Sequence, residues 1–210
     1  MKVVIVDPTV GNLRSVERAV VAAASHAGLS VGLERSSQPE ALRSADKIIF
    51  PGQGSFTTVS RLLAQGLGDA LREALRLGKP YLGICLGLQL LLSQSEEAPD
   101  APGLGLFPGK VVRIPASTEA KVPHMGWNRL EVGSTLHPAL EAAGGDNAWM
   151  YFVHSYHAVP DDPSVTQASV SHGTTRVTAA MARDNILACQ FHPEKSQHAG
   201  LALLSEFLRL

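Results

Sequence analysis

Cys85 stands in the run Gly83-Ile-Cys85-Leu-Gly87, where an apolar stretch ends and a helical one begins. G-x-S-x-G in that setting is a nucleophile elbow, and G-x-C-x-G is its thiol version. The turn is tight enough that the positions two away on either side must lack a side chain, which accounts for both glycines. A sulfur at the start of a helix meets unpaired amides whose partial positive charge favours thiolate over thiol. The backbone N–H of Leu86 lies where an oxyanion would form. A thiolate also needs a base, and Gln190-Phe191-His192-Pro193-Glu194 supplies one directly after a strand. His192 would take the thiol proton and return it to the leaving group, while Glu194 holds the other ring nitrogen. Pro51-Gly52-Gln53-Gly54 follows another strand, and its backbone offers a second oxyanion donor at Gly52 or Gln53. It lacks the third glycine and the Lys-Ser/Thr of a phosphate loop. Taken singly, Cys85 also suits a buried structural thiol, His192 a surface histidine and the Gly52 turn a plain connection. Together they specify thiol chemistry at one edge of a sheet.

That edge requires a particular arrangement of elements. Lys2 to Val6 is a continuous apolar run, as in a parallel strand buried on both faces. Leu13, Val16, Val20 and Ala23/Ala24 recur at helical spacing up to Gly28. A weaker strand is predicted over 29–34, and Ser37-Gln-Pro-Glu40 has the form of a capping box opening a short helix. A strand over 47–50, a helix over 67–77, a strand over 81–84 and a helix over 86–92 follow. This alternation predicts an α/β fold with a mostly parallel central sheet flanked by helices and carrying the elbow. The second half differs. Segments 110–114, 127–132, 149–153, 165–171, 177–182 and 186–191 read as short strands between Pro, Gly and Asp turns, of antiparallel character and forming an added sheet layer or an edge. Residues 96–105 read as a surface loop, and a helix over 196–210 carries Leu201, Leu204 and Leu208 on one stripe. One domain spanning 1–210 is expected.

Composition narrows the function classes. The 210 residues are 45% hydrophobic and 18% charged, which is globular and not disordered. A formal net charge of −1 gives no basic footprint for nucleic acid or an anionic membrane. Two cysteines, Cys85 and Cys189, cannot form a disulfide framework and fit a reducing compartment, so a soluble cytoplasmic protein is expected. No apolar stretch reaches the ~18 residues of a membrane span. His154-x-x-His157 offers at most half a metal site, because i and i+3 on a strand face opposite ways and nothing nearby completes a shell. No metal or cofactor is expected. Cys189 reads as core, and Trp127 and Trp149 read as packing or interface residues.

Gly-Ile-Cys-Leu-Gly-Leu-Gln-Leu-Leu with His-Pro-Glu downstream resembles the class I (triad) glutamine amidotransferases. Val10-Gly-Asn-Leu-Arg-Ser-Val16, Lys121-Val-Pro-His-Met-Gly-Trp-Asn128, Tyr151-Phe-Val-His-Ser-Tyr156 and Phe191-His-Pro-Glu-Lys-Ser-Gln197 are similar to the glutaminase subunits of imidazole glycerol phosphate synthases. The resemblance spans nearly the whole chain. It implies hydrolysis of glutamine to glutamate and ammonia through a cysteine thioester. The ammonia would be channelled to a (β/α)8 cyclase subunit that makes imidazole glycerol phosphate and AICAR in histidine biosynthesis. Carried over residue by residue, Cys85 is the nucleophile, His192 the base and Glu194 its orienting acid. Leu86 and the Gly52–Gln53 peptide are then oxyanion donors, and Gln89, Ser155 and Tyr156 hold the substrate. Gly11, Asn12 and Lys195 would face the cyclase in a heterodimer. The Gly52–Gln53 peptide is the candidate switch, since reorienting it would complete the oxyanion hole. Pro8-Thr9 stands where the family has Tyr-Gly, giving a stiffer loop, and Gln53 stands where Val is common. His157 replaces a usual aromatic or Arg. Two rivals fit the same residues: a thiol hydrolase or glutaminase of another pathway, and a regulatory module that has lost catalysis.

Overall fold

A computed structural model of the chain describes residues 1–8, 13–52, 54–118, 120–133 and 136–210, so Gly11, Asn12 and Gln53 lie outside the described residues. The described part contains the strands β1 (Lys2–Val6), β2 (Gly32–Ser36), β3 (Lys47–Gly52), β4 (Tyr81–Cys85), β5 (Gln94–Ser95), β6 (Gly109–Arg113) and β7 (His124–Arg129). The later strands are β8 (Glu131–Val132), β9 (Trp149–His154), β10 (Tyr156–Pro160), β11 (Thr166–His172), β12 (Thr175–Arg183) and β13 (Ile186–Cys189). The α-helices are α1 (Leu13–Ala27), α2 (Pro39–Ser44), α3 (Phe56–Leu62), α4 (Gly68–Arg76), α5 (Leu86–Gln89), α6 (Pro138–Ala142) and α7 (Gln197–Arg209).

The main sheet runs β2-β1-β3-β4-β13-β12-β11-β8. Its first five strands pair in parallel, and β12, β11 and β8 extend it antiparallel. The expected mixed architecture is the observed one, except that the segment at 186–191, read as antiparallel, is β13, which pairs in parallel with β4 and antiparallel only with β12. Val3 and Ile5 pack into the apolar layer beneath α1 and α7, while Val4 and Val6 pack into the opposite layer with α2 and α4. Alternate residues of a strand face opposite ways, so a strand covered on both faces must be apolar throughout. Two smaller sheets, β10-β6-β5 and β7-β9, stand beside the main one.

Register places the chemistry. Gly52 at the end of β3 lies opposite Cys85 at the end of β4, and Cys189 of β13 lies opposite Ile84. The next residues out of β13, Gln190 to His192, therefore leave the sheet beside the cysteine.

Several local expectations needed correction. The second strand lies at 32–36, not 29–34. No capping box forms at Ser37–Glu40: Gln38 is the N-cap and makes no side-chain cap, while Glu40 pairs with Arg43 at 3.2 Å. Helix α5 stops at Gln89, short of 92. Helix α3 was not anticipated, although Phe56, Val59 and Leu63 fall on one buried face and Ser55 Oγ caps Thr58 N at 3.3 Å. Its β-branched Thr57, Thr58 and Val59 mask the helical signal. Gly66, at φ +95°, breaks the chain between α3 and α4. No described helix is long and apolar enough to cross a membrane.

Candidate active site

Cys85 has φ +55° and ψ −101°, a conformation that non-glycine residues rarely adopt and that persists only where the surroundings enforce it. Those surroundings are backbone. A Cβ at Gly87 would overlap the carbonyl oxygen of Phe50 in β3, and one at Gly83 would overlap the carbonyl of Gly87. The buried Tyr81 hydroxyl donates to that Gly87 carbonyl at 2.7 Å and ties the turn to its own strand. A Cβ at Gly52 would overlap Leu86 Cβ, so β3 and the first turn of α5 approach as closely as glycine permits. The end of β3 and the first turn of α5 therefore meet beside Cys85.

His192 and Glu194 meet behind Cys85. His192 Nδ1 bonds Glu194 Oε1 at 2.8 Å, and both side chains are only 2% exposed. The backbone between them is a single turn of 3-10 helix, Pro193–Lys195, and is tied at both ends. His192 N donates to Tyr151 O at 2.9 Å, and Ser196 Oγ donates to His192 O at 2.7 Å. With Nδ1 committed to the carboxylate, Nε2 is left for the thiol; it is buried and has no aligned hydrogen-bond partner. Burial alone would strip the ring of its proton. The neighbouring Cys85 and Glu194 outweigh that and push the His192 pKa up to about 10. The imidazole thus holds a proton at neutral pH next to the sulfur, which is what an acid for a leaving amine requires.

A cavity of about 460 Å³ opens on Cys85. Gly52, Leu86, Gln89, Ser155 and Tyr156 all line it, as does Lys195, whose ammonium lies 5.7 Å from the centre of the Tyr151 ring. Lys195, expected at a partner contact, therefore lines the site itself. Three lining or contacting residues escaped the sequence reading. Glu97 lines the cavity from the 96–105 segment and accepts the Phe56 amide at 3.2 Å. His154 lines it too, with Nδ1 donating to Tyr156 O at 2.9 Å and Nε2 facing His124 Nδ1 at 3.0 Å. Burial lowers the His154 pKa to about 3 and that of His124 to about 4, so the pair is neutral. Gln190, fully buried, donates to Cys85 Sγ at 3.4 Å. Its only signal in the sequence was its position two residues before His192.

His154 ends β9 and His157 lies in β10, with a bend at Ser155 between them, so the two do not share one strand; both are buried. Among the described residues no three His, Cys, Asp or Glu side chains gather as a metal shell would require. Cys189 is sealed in the core, where burial, followed by the charges of Glu194 and Cys85, drives its thiol pKa well up.

A family model described as glutamine amidotransferase class-I matches residues 9–209. The chain belongs to that family. It is 44% identical over 207 residues to the imidazole glycerol phosphate synthase subunit HisH of Nostoc punctiforme, covering 98% of this chain and 94% of the relative. The subunit of the same name from Gloeobacter violaceus is also 44% identical, over 98% of this chain and 88% of its own. Among solved structures, PurLQS from Thermotoga maritima superposes with a TM-score of 0.73 at 18% identity, covering 99% of this chain and 97% of that one. A crystal structure of a glutamine amidotransferase gives 0.66 at 21%, covering 99% of each. At those identities the superpositions speak for the fold alone, and the full-length relatives carry the family.

Proposed function

We propose that this chain is the glutaminase subunit of an imidazole glycerol phosphate synthase, with Cys85, His192 and Glu194 as its catalytic residues. The observation that carries the chemistry is a strained thiol at a cavity, beside a buried His192–Glu194 pair joined at 2.8 Å. Near-full-length identity to subunits of that name supports the pathway.

In the proposed reaction the Cys85 sulfur forms a bond to the side-chain carbonyl carbon of glutamine. The carbonyl oxygen takes the negative charge and is held by the Leu86 amide and the Gly52–Gln53 peptide. His192 gives its proton to the amide nitrogen, the C–N bond breaks, and ammonia leaves a thioester on Cys85. Water, deprotonated by His192, then attacks the thioester carbon; the C–S bond breaks and glutamate is released. Glu194 keeps the ring oriented throughout. Gln89, Ser155 and Tyr156 line the space for the amino-acid end of the substrate. A cavity of this volume lies in the small-molecule range and suits a free amino acid better than a peptide chain.

Ammonia produced here is passed to the (β/α)8 cyclase subunit of a heterodimer. The outer face of the β7–β9 ribbon supports such a partner: Met125, Trp127 and Trp149 are exposed on it, with Trp127 edge-on to Tyr151 at 6.0 Å. Apolar side chains clustered in this way mark association surfaces. Gly11 and Asn12, with Lys195, are assigned to the same contact, and the Gly52–Gln53 peptide to the switch that restrains turnover without the cyclase. Two free cysteines suit a cytoplasmic setting. Cys85→Ala should abolish glutamine-dependent synthesis by the assembled enzyme and leave ammonia-dependent synthesis intact. Survival of glutamine-dependent synthesis in that variant would remove Cys85 as nucleophile. Glutamate release that is equal with and without the ligand-bound cyclase would remove the switch.

A further inference from the structure

We infer that Gln190 is a working part of the nucleophile: its side-chain amide holds the Cys85 sulfur in place and stabilises it as thiolate. This rests on Cys85 being the nucleophile of the reaction above.

Gln190 Nε2 donates to Cys85 Sγ at 3.4 Å, within the longer reach of sulfur hydrogen bonds, and the side chain is completely buried. A buried primary amide has two orientations, and only one presents an N–H to the sulfur. Here the orientation is dictated from the other side. Gln89 Nε2 uses its two hydrogens on Gln190 Oε1 at 3.1 Å and on Tyr156 O at 3.0 Å. The Tyr156 carbonyl also accepts from His154 Nδ1 at 2.9 Å, so it is fixed as an acceptor. With its oxygen occupied by Gln89, the Gln190 amide must turn its nitrogen to Cys85.

Backbone placement reinforces this. Gln190 N donates to Ala179 O at 2.8 Å, and the residue continues β13 alongside the end of β4. The donor therefore approaches from the sheet, while His192 reaches the same sulfur from the turn two residues later. An N–H aimed at sulfur is worth more to the anion than to the thiol, and most of all where water is excluded. It also limits the sulfur to one rotamer beside the strained Cys85 backbone. A fully buried amide kept only for packing would need no alignment with the reacting atom.

The test uses the full-length chain and its Gln190→Met and Gln190→Glu variants. Met keeps the length and removes the donor; Glu keeps the shape and puts an acceptor against the sulfur. Iodoacetamide is the probe, with carbamidomethylation of the Cys85 peptide followed by mass spectrometry between pH 5 and 10, so that the buried Cys189 is scored separately. Both variants should alkylate Cys85 about tenfold more slowly at neutral pH, with the rate profile displaced to higher pH, as expected for losing one hydrogen bond to a charged group. Glutaminase turnover with the cyclase should fall by about the same factor while KM moves much less. An alkylation profile identical to that of the unsubstituted chain in either variant, with the variant folded by its melting transition, would overturn the inference. Failure of the underlying reading looks different: alkylation of Cys85 in the unsubstituted chain would leave glutamine-dependent activity standing.

Discussion

Glu194→Gln isolates the electrostatic part of the site, because the amide can still accept a hydrogen bond from His192 Nδ1 but carries no charge. The contact is 2.8 Å long and both side chains are 2% exposed, so solvent screens it little. Removing one partner of such a buried pair typically costs about 3–5 kcal/mol. If about 3 kcal/mol of that is lost in the transition state, kcat falls about 100-fold or more. The pH dependence supplies the sharper readout. His192 is pushed up to about 10 against its burial by Cys85 and Glu194 together. Deleting one of those two causes moves its pKa down, and the alkaline limb of the rate profile should follow it toward neutrality. Stability responds with a definite sign. A raised folded-state pKa contributes stability that is fully present below about 6.5 and is lost as pH rises toward about 10. The stability gap between the unsubstituted chain and the variant should therefore be widest below pH 6.5 and narrow on the alkaline side. Steady-state glutamate release with the cyclase and urea unfolding across that range measure both. A kcat within about threefold of the unsubstituted enzyme with an unmoved alkaline limb would refute the role given to the carboxylate.

Tyr81→Phe should leave the Gly87 carbonyl buried without its donor, costing about 1–2 kcal/mol and lowering Tm on the order of 5 °C; a Tm unchanged by calorimetry would count against that bond as a support of the elbow. Acid should unfold the chain partly through His124 and His154, which stay neutral when folded, with pKa values lowered to about 4 and about 3. Stability is then complete above about pH 6.5 and falls as pH drops toward 4, because the unfolded chain takes up protons that the folded one refuses. Urea unfolding of a His124→Gln/His154→Gln variant should show a flatter slope in that window, and equal slopes would exclude the pair as its source.

The candidate catalytic residues were legible because their types are rare in combination. A cysteine flanked by glycines at a strand-to-helix junction and a His-Pro-Glu after a late strand have few structural uses. Most of the parallel half of the sheet was readable, since β1, β3 and β4 are almost wholly apolar and buried; β13 was read as antiparallel because its hairpin with β12 is, whereas its other edge joins β4 in parallel. What escaped were features set by tertiary contact. Gln190 looks like any polar residue at the end of a strand until register sets it beside Cys85. His154 and His157 read as lying on one strand, and only the bend at Ser155 assigns them to two strands of different sheets. The capping box at Ser37–Glu40 failed because Pro39 occupies the first turn and Gln38 takes the cap position, leaving Ser36 Oγ to accept the Gln38 amide at 3.1 Å. Local pattern specifies what a segment can do. Packing decides whether it does it.

The placement of the base relative to the cavity constrains the order of events. Cys85 borders the cavity, but neither His192 nor Glu194 lines it. In the proposed reaction substrate in the cavity would meet Cys85, with the buried His192 outside the lining. A proton stored on His192 can go to an atom already bonded at the carbon being attacked, and not to bulk water. The amide nitrogen is the group in that position while the thioester forms. After ammonia leaves, the same location is the place from which water can be deprotonated against the thioester. In the proposed reaction one buried imidazole thus serves both steps if ammonia leaves before water takes its place.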